Sequence, residues 1–187
     1  KVAQIPLIAE KPKGLYIQRR ELVEQVFNFI QAANGLLVGG PGFGKRFILE
    51  ELKRHCFSAG IPCHIIKINE MVSGDDAEIS EELRCNEDWF SALSQLSRPL
   101  GPVNRGVLIF DAFDTAKDER LKATFLKQIR RSINDLKGWH TLVSVRTYDA
   151  HKSAKLLELF PDADVRRDLL CRYIEIPELS EKELSDA

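Results

Sequence analysis

Gly39-Gly40-Pro41-Gly42-Phe43-Gly44-Lys45, with Leu36-Leu37-Val38 before it and Phe47 to Ser58 after it, decides how this chain folds. The three apolar residues closed by glycine read as a short, fully buried strand. Ile48, Leu49, Leu52 and Phe57 fall at helical spacing, and Gly60-Ile61-Pro62 stops them. A strand, a G-x-x-x-x-G-K loop and a helix in that order make a phosphate-cradling turn. The glycines let successive backbone N–H groups face phosphate oxygens. The helix behind adds the positive end of its dipole, and Lys45 reaches the β- and γ-phosphates as a point charge. The candidate nucleotide-contacting residues are therefore Gly40, Pro41, Gly42, Phe43, Gly44, Lys45 and Arg46.

Outward from the loop, strands and helices alternate. Arg20 to Ala33 has helical spacing and ends at Asn34-Gly35. His64 to Ile68 reads as a second strand, Gly106 to Phe110 as a third, Thr141 to Val145 as a fourth and Cys171 to Ile176 as a fifth. A long helix is predicted over Lys117 to Lys137, with Leu121, Phe125, Ile129, Ile133 and Leu136 on one stripe, and a short one over Ala154 to Leu159. Asn86 opens a further helix whose apolar positions, Trp89, Phe90, Leu93 and Leu96, belong to the core. Such alternation demands crossover connections and a parallel sheet covered on both faces. The expected fold is a three-layer α/β sandwich with five parallel strands in the order 5-1-4-3-2. Residues 1–15 read as an extended N-terminal arm, 16–177 as the nucleotide-binding domain and 178–187 as the start of a helical lid.

The 187 residues, 44 % hydrophobic and 29 % charged, suit one globular domain and exclude collagen-like or wholly disordered chains. No apolar run approaches the ~20 residues needed to cross a bilayer, and Lys1 to Glu10 shows no signal peptide. A net charge of −1 argues against a whole-surface nucleic-acid binder. The charge is uneven, however: residues 69–90 hold eight acids and one base, and 117–137 hold seven bases and three acids. Residues 69–85 are expected to form a long polar loop. Cys56, Cys63, Cys85 and Cys171 show no metal-site spacing and read as reduced thiols of a cytoplasmic protein.

Asp111 stands at the carboxyl end of the third strand and Asp114 follows it. A carboxylate there can hold a hydrated Mg²⁺ beside the phosphates, and Asp114 can position or deprotonate an attacking water. The plainer alternative is that both cap the next helix. Arg146 closes the fourth strand at the same sheet edge, where ligands of α/β sheets bind. It serves there as a γ-phosphate sensor or, alternatively, as an ion-pair partner of Asp149 or Asp114. Arg46 stands where such loops carry the Ser or Thr that ligates Mg²⁺. Arginine cannot ligate a metal, so either Mg²⁺ is held through water and Asp111 alone, or hydrolysis is weak or absent, or the arginine has been introduced.

The order Tyr16-Ile17-Gln18-Arg19-Arg20-Glu21-Leu22, GGPGFGK, LIFDAFD, LVSVRTYD resembles the STAND class of signal-transduction ATPases, relatives of the AAA+ ATPases. The resemblance runs from about Tyr16 to about Leu184. It implies that Gln18, Arg19 and Arg20 approach the adenine and that Arg146 is a sensor. It also implies that Ile174 to Leu184 leads into a helical lid. Thr115 stands where many such sequences carry a second acid. The implied function is an ATP-binding core of a larger regulatory ATPase, with ATP or ADP and Mg²⁺ as cofactors and slow hydrolysis as a switch. Other domains of the same chain and self-assembly are the implied partners, with no membrane. Two alternatives stand beside it: a non-catalytic nucleotide-binding and assembly module, and an AAA+-like loader acting on nucleic acid through the basic helix.

Overall fold

The computed structural model describes residues 13–96, 104–162 and 168–178, with the side chains of the first helix described from Arg19 onward. Strands β1 (Gly35–Gly39), β2 (Cys63–Lys67), β3 (Gly106–Asp111), β4 (Trp139–Arg146) and β5 (Tyr173–Glu175) form one parallel sheet in the order β2-β3-β4-β1-β5. This is the expected order, counted from the opposite edge. Helices α1 (Lys13–Ala32), α2 (Lys45–Ser58), α3 (Asp76–Glu82), α4 (Trp89–Leu96), α5 (Glu119–Asp135), α6 (Thr147–Lys152) and α7 (Ala154–Leu157) complete the described elements.

Period-two alternation sends neighbouring strand residues into two separate cores. Leu37, Val107, Ile109 and Leu142 pack against Val26 and Ile30 of α1 and Ile48 and Leu52 of α2. Leu36, Val38, Leu108, Phe110 and Val143 face the other way, onto Ile79, Trp89, Phe125, Ile129 and Leu156. Both faces are dry, so β1 and β3 contain no exposed position. The stripe on α5 is as its spacing predicts, and the Phe110 and Phe125 rings meet edge to face at 6.2 Å. Asp118 starts that helix by accepting the Leu121 N–H at 2.7 Å. Asp111 and Asp114 therefore do not cap it.

Three elements differ from the sequence expectation. Helix α1 begins at Lys13, inside the stretch read as an extended arm; residues 1–12 and 179–187, including most of the predicted lid segment, lie outside the described residues. The acidic stretch is not one loop: it holds a 3-10 turn at Ile68–Glu70 and the helix α3. Two of its acids gather several donors each. The Glu78 carboxylate accepts the backbone N–H groups of Val72, Ser73 and Gly74 at 2.7–2.8 Å. Asp76 accepts Trp89 Nε1 and Gln128 Nε2, both at 2.9 Å, and pairs with Arg131 at 3.0 Å, whose guanidinium lies 4.4 Å from the Phe90 ring centre. Composition shows the charge but not the donors to Asp76, which arrive from 13 to 55 residues away. The third difference is α6, which starts directly after β4. None of the four cysteines is in a disulfide.

Arg172, beside β5, donates to the carbonyls of Phe29, Ala33 and Asn34 at 2.6–2.9 Å and stacks on the Phe29 ring. A cation on the last carbonyls of α1 complements the negative end of that helix. It fixes α1 against the sheet and so fixes where Arg19 stands.

Candidate functional site

The carboxyl ends of the strands set the site. Register places Lys67 beside Asp111, and Gly39 beside Arg146. The loop leaving β1 turns through Gly42 and Gly44, both at φ +79°, a conformation that side-chain-bearing residues disfavour. At Gly40 a Cβ would come within 2.7 Å of the Phe43 ring, which folds back over the loop. No side chain caps α2 and its first turn holds no acid, so the positive end of a 14-residue helix is left for an anion.

Lys45 folds back over its own loop, and Nζ donates to the carbonyls of Gly39 at 2.6 Å and Gly40 at 2.8 Å. An ammonium has three N–H groups, so one remains for a phosphate oxygen. Burial holds its pKa below the ordinary lysine value; the Asp114 carboxylate opposes that shift, Arg146 adds to it, and Asp111 opposes it more weakly. Lys45, Arg46, Asp111, Asp114 and Arg146 share the walls of one cleft of about 410 Å³.

Asp111 is only 9 % exposed. Its Oδ1 accepts the hydroxyl of Ser144, a fully buried residue of β4, and the same hydroxyl oxygen accepts the Ala112 N–H at 2.8 Å. Ala112 sits in the left-handed region at φ 60°, a conformation that costs about 1 kcal/mol in a non-glycine residue. That turn brings Asp114 back under the strand edge. There it meets Arg146 as an ion pair at 3.0 Å, the plainer of the two roles the sequence offered. Thr115 Oγ1 donates to the Ala112 carbonyl at 2.6 Å and so braces the turn.

Of the residues set near the adenine by resemblance, Arg19 is 4 % exposed and donates from Nη1 to the Phe43 carbonyl at 3.1 Å, joining α1 to the loop. The Arg20 side chain is exposed and pairs with Glu24 at 3.8 Å. The Gln18 side chain lies outside the described residues. Ser144 was not foreseen. Its signal is a lone hydroxyl within the apolar run Leu142-Val143-Ser144-Val145, but only the β3–β4 register sets it against Asp111. Lys67 and Glu70 were not foreseen either: Glu70 Oε1 lies 3.4 Å from Lys67 Nζ and 3.9 Å from Arg46 Nη2.

The donors present fit a nucleotide polyphosphate. They fit its usual magnesium ion poorly, because Arg46 removes the loop hydroxyl and Asp111 is already bonded through Oδ1. Among the described residues no group of three His, Cys, Asp or Glu is placed to hold a metal, and no helix is long and apolar enough to cross a membrane.

No protein-family model matches this chain, and no curated protein matches it in sequence. Solved structures do match in shape. A Walker-type ATPase of Pyrococcus abyssi is 12 % identical with a TM-score of 0.57, over 94 % of this chain and 58 % of that one. A chain of Drosophila ORC bound to GC-rich DNA and Cdc6 is 13 % identical with a TM-score of 0.52, over 88 % of this chain and 57 % of that one. AMPPCP-bound DnaA from Aquifex aeolicus is 14 % identical with a TM-score of 0.51, over 94 % and 50 %. The chain thus spans 50–58 % of the length of these three. At such identities the likeness is one of fold, and the fold of this chain is the five-stranded parallel α/β fold of the P-loop NTPases.

Proposed function

We propose that this chain is the ATP-binding core of a larger regulatory ATPase of the STAND type, in which ATP and ADP set a conformational or assembly switch. The observation that carries this is one cleft holding the loop ammonium of Lys45, the strand-end carboxylate of Asp111 and the Asp114–Arg146 pair. Lys45 and the loop N–H groups bind the β- and γ-phosphates. Arg19 ties α1 to the loop at Phe43, so movement of the loop is felt in α1.

A γ-phosphate competes with Asp114 for Arg146. Drawing the guanidinium away frees the carboxylate to accept a proton from water, so the two states differ in which anion Arg146 holds. Without a loop hydroxyl, hydrolysis is slow, with turnover below about 1 s⁻¹. Further domains of a longer chain, and copies of it, are the partners on which such a switch acts.

The nucleic-acid alternative loses support at α5. Lys122 pairs with Glu119 at 2.9 Å and Arg131 is spent on Asp76, which weakens the basic face.

The test is calorimetric titration with ATP and ADP. Binding in the micromolar range is expected, and Lys45→Ala should weaken it by about 100-fold, ~2.7 kcal/mol. Equal binding by the wild type and Lys45→Ala would refute the assignment of the phosphate loop.

A further inference from the structure

Building on the nucleotide-binding reading, we propose that the guanidinium of Arg46 stands in for the divalent metal, so that the chain binds nucleoside di- and triphosphates without Mg²⁺. In phosphate loops that carry Ser or Thr after the lysine, the hydroxyl holds the ion and a strand-end aspartate completes its anchorage. Arg46 carries a guanidinium, which offers a metal no lone pair and presents a positive charge. Placed at the first turn of α2, on the wall of the same cleft as Lys45, that charge repels a dication.

The same charge is well suited to phosphate. A guanidinium fork grips two phosphate oxygens at once. With Lys45 and Arg146 it puts three cations on the cleft against the two carboxylates of Asp111 and Asp114. A polyphosphate therefore meets a net positive wall without importing a metal.

Arg46 is also free to make the move. Its contact with Glu70 is long, 3.9 Å, and its side chain is 68 % exposed. Leaving Glu70 costs little, because an exposed ion pair contributes little. It also leaves no orphan, because Lys67 lies closer to the same Glu70 oxygen, at 3.4 Å. The cluster works as a parking place: Glu70 holds Arg46 at the rim when the cleft has no anion and keeps Lys67 when Arg46 turns inward.

The experiment is calorimetric titration of the chain with ATP and with ADP, first in Mg²⁺ and then in EDTA, for wild type and Arg46→Ser. The wild type is expected to hold its affinity within about threefold between the two buffers. Arg46→Ser is expected to lose at least about tenfold in EDTA and to recover most of it in Mg²⁺, which also shows that the variant is folded. A wild-type loss of about tenfold or more in EDTA overturns the proposal and leaves nucleotide binding standing. Unchanged binding by Arg46→Ser in EDTA overturns it too. If the wild type binds in neither buffer, the nucleotide-binding reading itself fails and takes this proposal with it.

Discussion

The Asp114 carboxylate holds Arg146 twice: Oδ2 lies 3.0 Å from the guanidinium Nε, and Oδ1 accepts the Arg146 backbone N–H at 3.1 Å. One side chain thus fixes both the end of β4 and the start of α6. The Asp114 side chain is 4 % exposed while that of Arg146 is 51 % exposed, so the pair is half wet. Asp114→Ala is expected to cost about 1–2 kcal/mol of unfolding free energy. Asp114→Asn, which keeps an acceptor for the backbone N–H, is expected to cost less than about 1 kcal/mol. Urea denaturation separates the two, and equal losses would contradict the double hold.

Lys45 supplies a pH signature. Its depressed pKa means that charge is lost before an ordinary lysine, at 10.5, would lose it. Nucleotide affinity is therefore expected to fall as pH rises toward 10.5, earlier than an ordinary lysine would make it fall. Stability runs the other way: between the depressed value and 10.5 the unfolded chain binds more protons, so the Lys45 contribution rises with pH. Lys45→Arg stays charged across this range. An affinity that falls equally in that variant would assign the effect to another group.

Ser144 is the hinge between β3 and β4 at the site. Ser144→Ala removes one partner from Asp111 and leaves the half-buried Ala112 N–H without its side-chain acceptor. A loss of about 1–3 kcal/mol is expected, seen as a lower denaturation midpoint with unchanged slope. A neutral result would mean that the left-handed turn at Ala112 is held by Thr115 alone.

Asp76 and Glu78 make the acidic segment acid-labile. Burial pushes the Asp76 carboxyl up, but donation from Trp89, Gln128 and Arg131 outweighs it and leaves the pKa below 3.8. Glu78 behaves alike: burial raises it, and the N–H groups of Val72, Gly74 and Ser73 bring it below 4.5. Folded-state values below the unfolded ones mean that this stabilisation is full above the unfolded pKa values and is lost as pH falls through the depressed ones. Trp89 reports on it directly. Its emission is expected to shift to the red on acidification below about pH 4, and Asp76→Asn should show the shift already at neutral pH. A variant whose emission matches the wild type at both pH values would contradict the assignment.

Much of this was legible in the sequence, for identifiable reasons. Strands β1 and β3 announce themselves because both their faces are buried, so every position is apolar or glycine up to the residue that reaches the edge. The glycine-rich loop after β1 announces itself because its glycines at Gly42 and Gly44 are backbone requirements, and those are written in residue type. Segment 69–85 was misjudged because Asp76 is held by donors distant in sequence, Trp89 on α4 and Gln128 and Arg131 on α5, while Glu78 gathers the backbone N–H groups of the turn before α3. The extension of α1 to Lys13 was missed because Gly14 and the consecutive apolar residues Leu15-Tyr16-Ile17 give no helical stripe, and α6 because its six residues are too short to show one.

The sequence by itself determined the five parallel strands, the glycine-rich strand-loop-helix turn, and Asp111 and Arg146 at strand ends, because period and residue type are local properties of a chain. The tertiary structure decided the partnerships. Ser144 meets Asp111, Arg146 meets Asp114 rather than Asp149, and Glu70 stands between Arg46 and Lys67. Sheet register and the left-handed turn at Ala112 bring these side chains together, and hydrogen bonds and ion pairs depend on distances that no spacing along the chain encodes.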